Sequence, residues 1–201
     1  DAYAPRFDRH LVEGLSYRGH TLVADALEAS AGPATPLGWV IDLGCGTGKW
    51  GLRLLKSGFD VTFLDHSAAM VEQVRAKLQD NPRQKRATLV VGDIIEMPAL
   101  ASGGFDLLTA MGDPLSICSD PERAVREFAR VLRPGGVVCA TADNKLAAID
   151  HYIASGRLGE LEAFLQTGKT RWLTQDEAER FELHTFTPAE LTRLFERNGF
   201  E

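Results

Sequence analysis

The run Trp39 to Gly51, WVIDLGCGTGKWG, constrains this chain more than any other: an apolar segment ends in an acid, and glycines follow at 44, 46, 48 and 51. Glycine lacks a Cβ and tolerates positive φ, so such a cluster lets the backbone turn sharply and approach a ligand closely. Because a strand-like run precedes it and the helix-periodic LRLLKSG follows, the segment reads as strand, loop, helix. Three loop patterns compete for it. A Walker A phosphate loop needs Gly, four residues, then Gly-Lys-Ser/Thr. Here Lys49 follows Gly48, but position 43 is Leu and position 50 is Trp, so the magnesium-holding hydroxyl is missing. A dinucleotide fingerprint GxGxxG fits as Gly46, Gly48 and Gly51, with Asp65 downstream. Moving the frame forward gives DxGxGxG from Asp42, Gly44, Gly46 and Gly48. The glycines by themselves leave these last two open.

Downstream, short segments rich in Val, Ile, Leu and Phe alternate with helical patterns, the signature of a parallel sheet with crossover helices. Strands are expected at 39–43, 60–64, 87–91, 105–110 and 136–142, with helices at 48–57, 68–80 and 121–132. Asp120-Pro121 and Thr187-Pro188 mark helix starts, the latter with Glu190 completing a capping box. The fold class that follows is α/β, a Rossmann-like doubly wound and mostly parallel sheet with helices on both faces. Its ligand belongs at the carboxyl ends of the strands. We expect a single domain over 1–201, with its core at 37–142 and 184–201 and an N-terminal helical cover at 1–36 whose apolar stripe is Leu22, Val23, Ala26 and Leu27. Residues 143–183 form a helical insertion after strand five of roughly 40 residues, too long for a mere connection and expected to cap the substrate. The chain stops at Gly199-Phe200-Glu201, where another strand would begin, and starts at Asp1 rather than Met, so C-terminal strands are expected to be truncated.

Five segments in order, DLGCGTG, DVTFLDHS, LVVGDIIEMP, FDLLTAMGD and VLRPGGVVCATADN, resemble the motifs of the class I S-adenosylmethionine (SAM) dependent methyltransferases, over residues 39 to 144. That resemblance implies a methyl transfer to an N or O nucleophile of a small-molecule acceptor, with SAM as cofactor and S-adenosylhomocysteine as product. It also assigns a cofactor set: Asp42, Gly44, Cys45, Gly46 and Gly48 around the methionine end, with Asp42 beside the ammonium; Asp65, His66 and Ser67 around the ribose; and Met70, Asp93, Ile94 and Met111 around the adenine and its approach. Several of these residues have plainer readings. Ser67 suits a helix N-cap, and Met70 and Ile94 suit ordinary core positions. The competing function is an NAD-dependent oxidoreductase using Gly46, Gly48 and Gly51, although no Tyr-x-x-x-Lys or His dyad accompanies it.

No catalytic residue can be named, because displacement at a sulfonium needs no protein nucleophile. A base is required only if the acceptor must lose a proton. Asp113 is the one candidate, in GDPLS, which resembles a segment of some small-molecule N-methyltransferases; with Pro114 it equally reads as a helix N-cap. TADN, with Asp143 and Asn144, resembles the metal-binding pair of catechol-type O-methyltransferases, but either residue also suits a helix cap, and we assign no metal.

Composition limits the partners. A net charge of −6 argues against nucleic acid, three cysteines give neither a disulfide framework nor a zinc ribbon, and no apolar run approaches bilayer length. The chain reads as soluble and cytoplasmic, with no signal for an oligomeric state.

Overall fold

Apolar runs without polar alternation make strands that must be covered on both faces, and that requirement shapes the molecule. The computed structural model describes residues 38–171 and 181–201. The expected N-terminal cover and positions 172–180 of the insertion lie outside the described residues. Five strands, β1 (Trp39–Leu43), β2 (Asp60–Asp65), β3 (Ala87–Val91), β4 (Phe105–Ala110) and β5 (Leu132–Ala140), form one sheet in the order β3-β2-β1-β4-β5. Every pairing in it is parallel. Helices α1 (Lys49–Ser57), α2 (Ala68–Leu78), the short α3 (Pro114–Ile117) and α4 (Pro121–Val131) connect them. Beyond β5 come α5 (Lys145–Ala154), α6 (Leu158–Thr167), the antiparallel pair β6 (Lys169–Arg171) and β7 (Glu182–His184), and α7 (Pro188–Arg197). This is the doubly wound α/β class expected from the sequence.

Neighbouring strand residues point to opposite faces and feed two cores. On one side Val40, Val61 and Phe63 pack with Leu54 and Leu55 of α1 and Val74 and Leu78 of α2. On the other, Ile41, Leu43, Leu64 and Leu108 pack with Val125, Phe128 and Val131 of α4 and Leu194 of α7. Phe63 and Phe128 are fully buried, and a side chain of that size contributes about 1.5–3 kcal/mol on burial.

Helix starts follow local chemistry. Ser67 Oγ accepts from Met70 N and Asp120 Oδ1 from Arg123 N. Both halves of the Thr187–Glu190 capping box are present. Gly58, at φ 102°, closes α1 by donating to Leu54 and Leu55 carbonyls.

Boundaries differ from expectation in six places, two of them strand ends: β2 runs to Asp65 rather than 64 and β5 stops at Ala140 rather than 142. Gly48 takes φ 79° and caps α1 instead of joining it, and α2 and α4 end at Leu78 and Val131 rather than 80 and 132. β5 begins at Leu132 rather than 136: its pairing with β4 jumps from Phe105–Leu132 to Leu107–Val137, so Arg133 to Gly136 form a bulge inside the strand. The β6–β7 pair was not expected.

The excursion from α5 to β7 has a small core of its own, made of Ala148, Tyr152 and Phe164. Tyr152 Oη and Thr170 Oγ1 lie 2.7 Å apart and tie α5 to β6. Its two ends meet. Lys145 N donates to Phe186 O at 3.0 Å, and Phe186 N to Asp143 O at 2.9 Å. Lys145 Nζ, largely buried, pairs with Glu190 Oε1 of α7 at 3.0 Å.

Candidate functional site

With this strand order the connections run outward in opposite directions from β1 and β4, which opens a crevice between the carboxyl ends of those strands. Both lips of the crevice are glycine loops. After β1, Gly44, Gly46 and Gly48 all take positive φ, 61°, 52° and 79°, a backbone that β-carbon-bearing residues adopt only at a cost. After β4, Gly112 at φ 83° precedes Asp113 at φ 63°, the one positive-φ residue other than glycine among the described residues. The two loops touch: a Cβ on Gly44 would lie 2.7 Å from Pro114 Cγ. Gly51 is required for a different reason, since a Cβ there would meet the Phe63 ring and sit 2.8 Å from Asp42 Oδ2.

The first loop is held from every side. Cys45 N donates to Leu64 O at 3.0 Å and Gly48 N to Cys45 O at 2.8 Å, while Lys77 Nζ of α2 donates to Thr47 O at 2.9 Å. Asp65, buried at the end of β2, accepts from Gly46 N at 2.8 Å through Oδ2 and from Ser67 N at 2.9 Å through Oδ1. One carboxylate therefore joins the glycine loop to the start of α2.

Asp42, expected beside a ligand ammonium, points beneath the loop. Its Oδ1 accepts from Thr109 Oγ1 at 2.9 Å and its Oδ2 from Gly51 N at 2.9 Å. Burial pushes its pKa up to about 7, against the lowering effect of those two hydrogen bonds. His66 is largely exposed, with Nδ1 3.6 Å from Asp65 Oδ1. Ser67 caps α2. Met70 is half-buried in the first turn of that helix. Asp93 is exposed and accepts from Ile95 N at 3.1 Å, while Ile94 is buried in the α4-side core and Met111 packs against the α1-side core. The loop residues and Asp65 are thus in mutual contact; Asp93 and Ile94 follow β3, farther along the same edge of the sheet.

The second lip carries acids. Asp113 stands at the N-cap position of α3 as the sequence suggests, but its side chain makes no capping bond. Instead Thr141 Oγ1 accepts from both Gly112 N and Asp113 N, at 3.0 and 3.1 Å, and Ser116 Oγ accepts from Asp143 N at 2.8 Å. These bonds lace the ends of β4 and β5 together. Burial raises the pKa of Asp113, and burial plus the neighbouring Asp113 charge raises that of Asp143 to about 6. Asn144 caps α5, its Oδ1 accepting from Leu146 N. Among the described residues no cluster of three or more His, Cys, Asp or Glu side chains is placed to hold a metal. Thr109, Thr141 and Ser116 had not been singled out, and nothing local marks them; their partners come from other strands and loops.

Fold and site together define a doubly wound α/β domain with a crevice at the carboxyl ends of β1 and β4, where folds of this class take their ligands. Comparison with known proteins narrows this. Residues 40–136 match the family model described as a methyltransferase domain. A malonyl-[acyl-carrier protein] O-methyltransferase from Enterobacter lignolyticus is 39% identical over 118 residues, 59% of this chain and 43% of the relative. A demethylmenaquinone methyltransferase from Leptospira interrogans is 34% identical over 100 residues, 49% of this chain and 40% of the relative. The chain spans about half the length of the curated relatives it matches. In fold it is similar to a SAM-dependent methyltransferase structure from Methanosarcina mazei, with a TM-score of 0.69 at 23% identity, covering 82% of this chain and 80% of that one. Residues 40–136 are thus similar to the methyltransferase domain family, and the fold is shared with SAM-dependent methyltransferases. The oxidoreductase alternative gains no support from these matches.

The residues present fit SAM. Three positive-φ glycines carry the loop between β1 and α1, and β-carbons on Gly44 and Gly48 would strike Pro114 and Val74, so the backbone itself forms the ligand-facing surface there. The first turn of α1 offers N–H groups to a carboxylate, and the Asp65 carboxylate stands at the edge of the adjacent strand.

Proposed function

We propose that this chain transfers a methyl group from SAM to an N or O nucleophile of a small-molecule acceptor. The observation that carries the reading is Asp65, whose buried carboxylate connects Gly46 of the loop to Ser67 of α2 at the end of β2. From there it accepts the ribose hydroxyls, while Gly44 to Gly48 underlie the methionine end. Asp42 serves this arrangement from below, fixing the loop through Gly51 and β4 through Thr109. Met70, Ile94, Asp93 and Met111 frame the adenine side.

When bound, SAM supplies a methyl group on a leaving group that is already activated. What the protein adds is position: a nucleophile held in line with the methyl carbon, away from water, gains several kcal/mol from proximity. The excursion from α5 to β7 closes the acceptor side. Its return strand β7 packs on α3, directly beside Asp113. Asp143, with a pKa near 6, accepts the proton that an acidic or protonated acceptor must lose. The relatives' names specify a carrier-bound acid and a demethylmenaquinone, so acyl acids and quinone-like phenols are the first acceptors to try.

The test is calorimetric titration of S-adenosylhomocysteine into wild-type protein and Asp65→Ala, together with transfer of isotope-labelled methyl from SAM to those acceptor classes. Binding in the wild type that falls at least tenfold in the variant is expected. Unchanged affinity in Asp65→Ala would sink the assignment.

A further inference from the structure

Lys49 and Trp50 follow the glycine loop, and neither is assigned by the reading above. α1 begins without a side-chain cap, since Gly48 has none to offer. Gly51 N is taken by Asp42 and Leu52 N by Gly48 O, so the N–H groups of Lys49 and Trp50 are the open donors of the first turn. Independently, the Trp50 indole Nε1 is a buried side-chain nitrogen without a hydrogen-bond partner among the described residues, on a residue only 5% exposed.

Buried donors are satisfied almost without exception, and one left alone weakens the folded state. A tryptophan used only as filler could be phenylalanine at no such cost. Direction matters too. Helical side chains lean back toward the N-terminus and cover the turn before their own Cα. In the first turn of α1 that places the indole over the glycine loop, in the same apolar cluster as Cys45 of the loop and Met111 at the end of β4. Three donors and the positive end of the helix therefore converge at the loop.

We propose that Trp50 is a cofactor-positioning residue whose indole N–H donates to the amino-acid carboxylate of SAM. This rests on the SAM reading and deepens it. The carboxylate is the only anionic group of the cofactor, so it is the one that a helix start with an extra N–H selects. Because the indole nitrogen is closed off in the free protein, its covering wall must shift to admit the carboxylate. The unpaired donor thus trades some stability of the free state for affinity in the bound state.

The experiment compares wild type with Trp50→Phe, which keeps the ring packing and deletes the donor. Two ligands are titrated by calorimetry: S-adenosylhomocysteine, which has the carboxylate, and 5′-methylthioadenosine, which lacks the whole amino-acid end. The expected result is a melting temperature of free Trp50→Phe no lower than wild type, an S-adenosylhomocysteine affinity weaker by about tenfold, and an unchanged methylthioadenosine affinity. Equal loss for both ligands, or no loss for either, would overturn the proposal. If the variant does not fold, the wild type still decides: in a nitrogen-15 spectrum the Trp50 indole signal must move downfield with S-adenosylhomocysteine but not with methylthioadenosine, and a signal that stays put is a refutation. Wild type binding neither ligand would instead refute the underlying SAM reading.

Discussion

At the scale of single residues, the site turns on where carboxyl groups find their partners. Asp42 and Asp65 spend their oxygens on backbone donors and on Thr109, so they build the loop. Asp113 and Asp143 face each other across the ends of β4 and β5 with raised pKa values, Asp143 from 3.8 to about 6. For a base the sign is clear: Asp143 accepts a proton only when ionised. The rate of methyl transfer to an ionisable acceptor should therefore rise with pH through about 6. Asp143→Asn should remove that inflection and lower kcat by about 10²-fold or more, with S-adenosylhomocysteine affinity kept; a pH–rate profile of both proteins checks it. Stability runs the other way. A carboxyl whose pKa is raised by folding stabilises the protein fully below its ordinary value and loses that contribution as pH climbs through about 6. Much of the loop could be read directly from the sequence, since glycines at 44, 46 and 48 between an acid and a helix have few other uses. The inward aim of Asp42 could not, because Thr109 lies on β4 and only strand pairing brings it alongside.

At the scale of elements, what could be read was whatever is decided within a few residues. Ser67, Asp120 and Thr187 act as N-caps because a short polar side chain before a helix finds a backbone N–H donor three residues ahead. Asp113 precedes Pro114 in the same way, yet the contact between Pro114 and Gly44 and the Thr141 acceptor hold it at φ 63°, and tertiary structure overrides the local signal. The β6–β7 pair carries no local signal for the same reason: strands of three residues whose hydrogen bonds reach across the excursion show no periodicity. The bulge of β5 was legible only as a turn, because Gly135 at φ 77° signals a bend without saying that pairing resumes on both sides. The capping box of α7 allows a test at this scale. Thr187→Ala removes the acceptor of Glu190 N and one partner of Glu190 Oε2, and should cost about 1 kcal/mol, or a fall of about 2–4 °C in Tm for a domain of this size. Because α7 lies away from the glycine loop, S-adenosylhomocysteine affinity should stay within twofold; a scanning calorimetry trace paired with a binding isotherm gives both numbers.

At the scale of the whole molecule, the parallel sheet and the excursion pack separate cores. Both sheet cores are complete without α5, α6, β6 and β7: their buried members come from β1, β2, β4 and β5, α1 to α4, the glycine loop, the segment after β3 and α7. The excursion packs its own cluster around Tyr152 and Phe164. It also leaves and rejoins the core at one place, where Asn144 bridges Phe186 and Lys145 N bonds to Phe186 O. Chain segments whose ends nearly coincide can be shortened with little strain on what they leave. Replacing residues 146–184 with a short Gly-Ser link should therefore preserve the sheet, with some loss of stability because β7 no longer covers α3 and the Lys145–Glu190 pair loses its shelter. The cofactor side depends on β1, β2 and the glycine loop between β1 and α1, so S-adenosylhomocysteine should bind within about threefold of wild type and raise the melting temperature as any ligand of the folded state does. Methyl transfer to the acceptor should fall below detection, since the wall over Asp113 and Asp143 is gone and water enters. Circular dichroism, calorimetric titration and the labelled-methyl assay on the shortened protein decide the matter: a folded protein that still methylates at the wild-type rate would remove the excursion from the acceptor site, and one that folds but no longer binds S-adenosylhomocysteine would show that cofactor and acceptor sides are built as one.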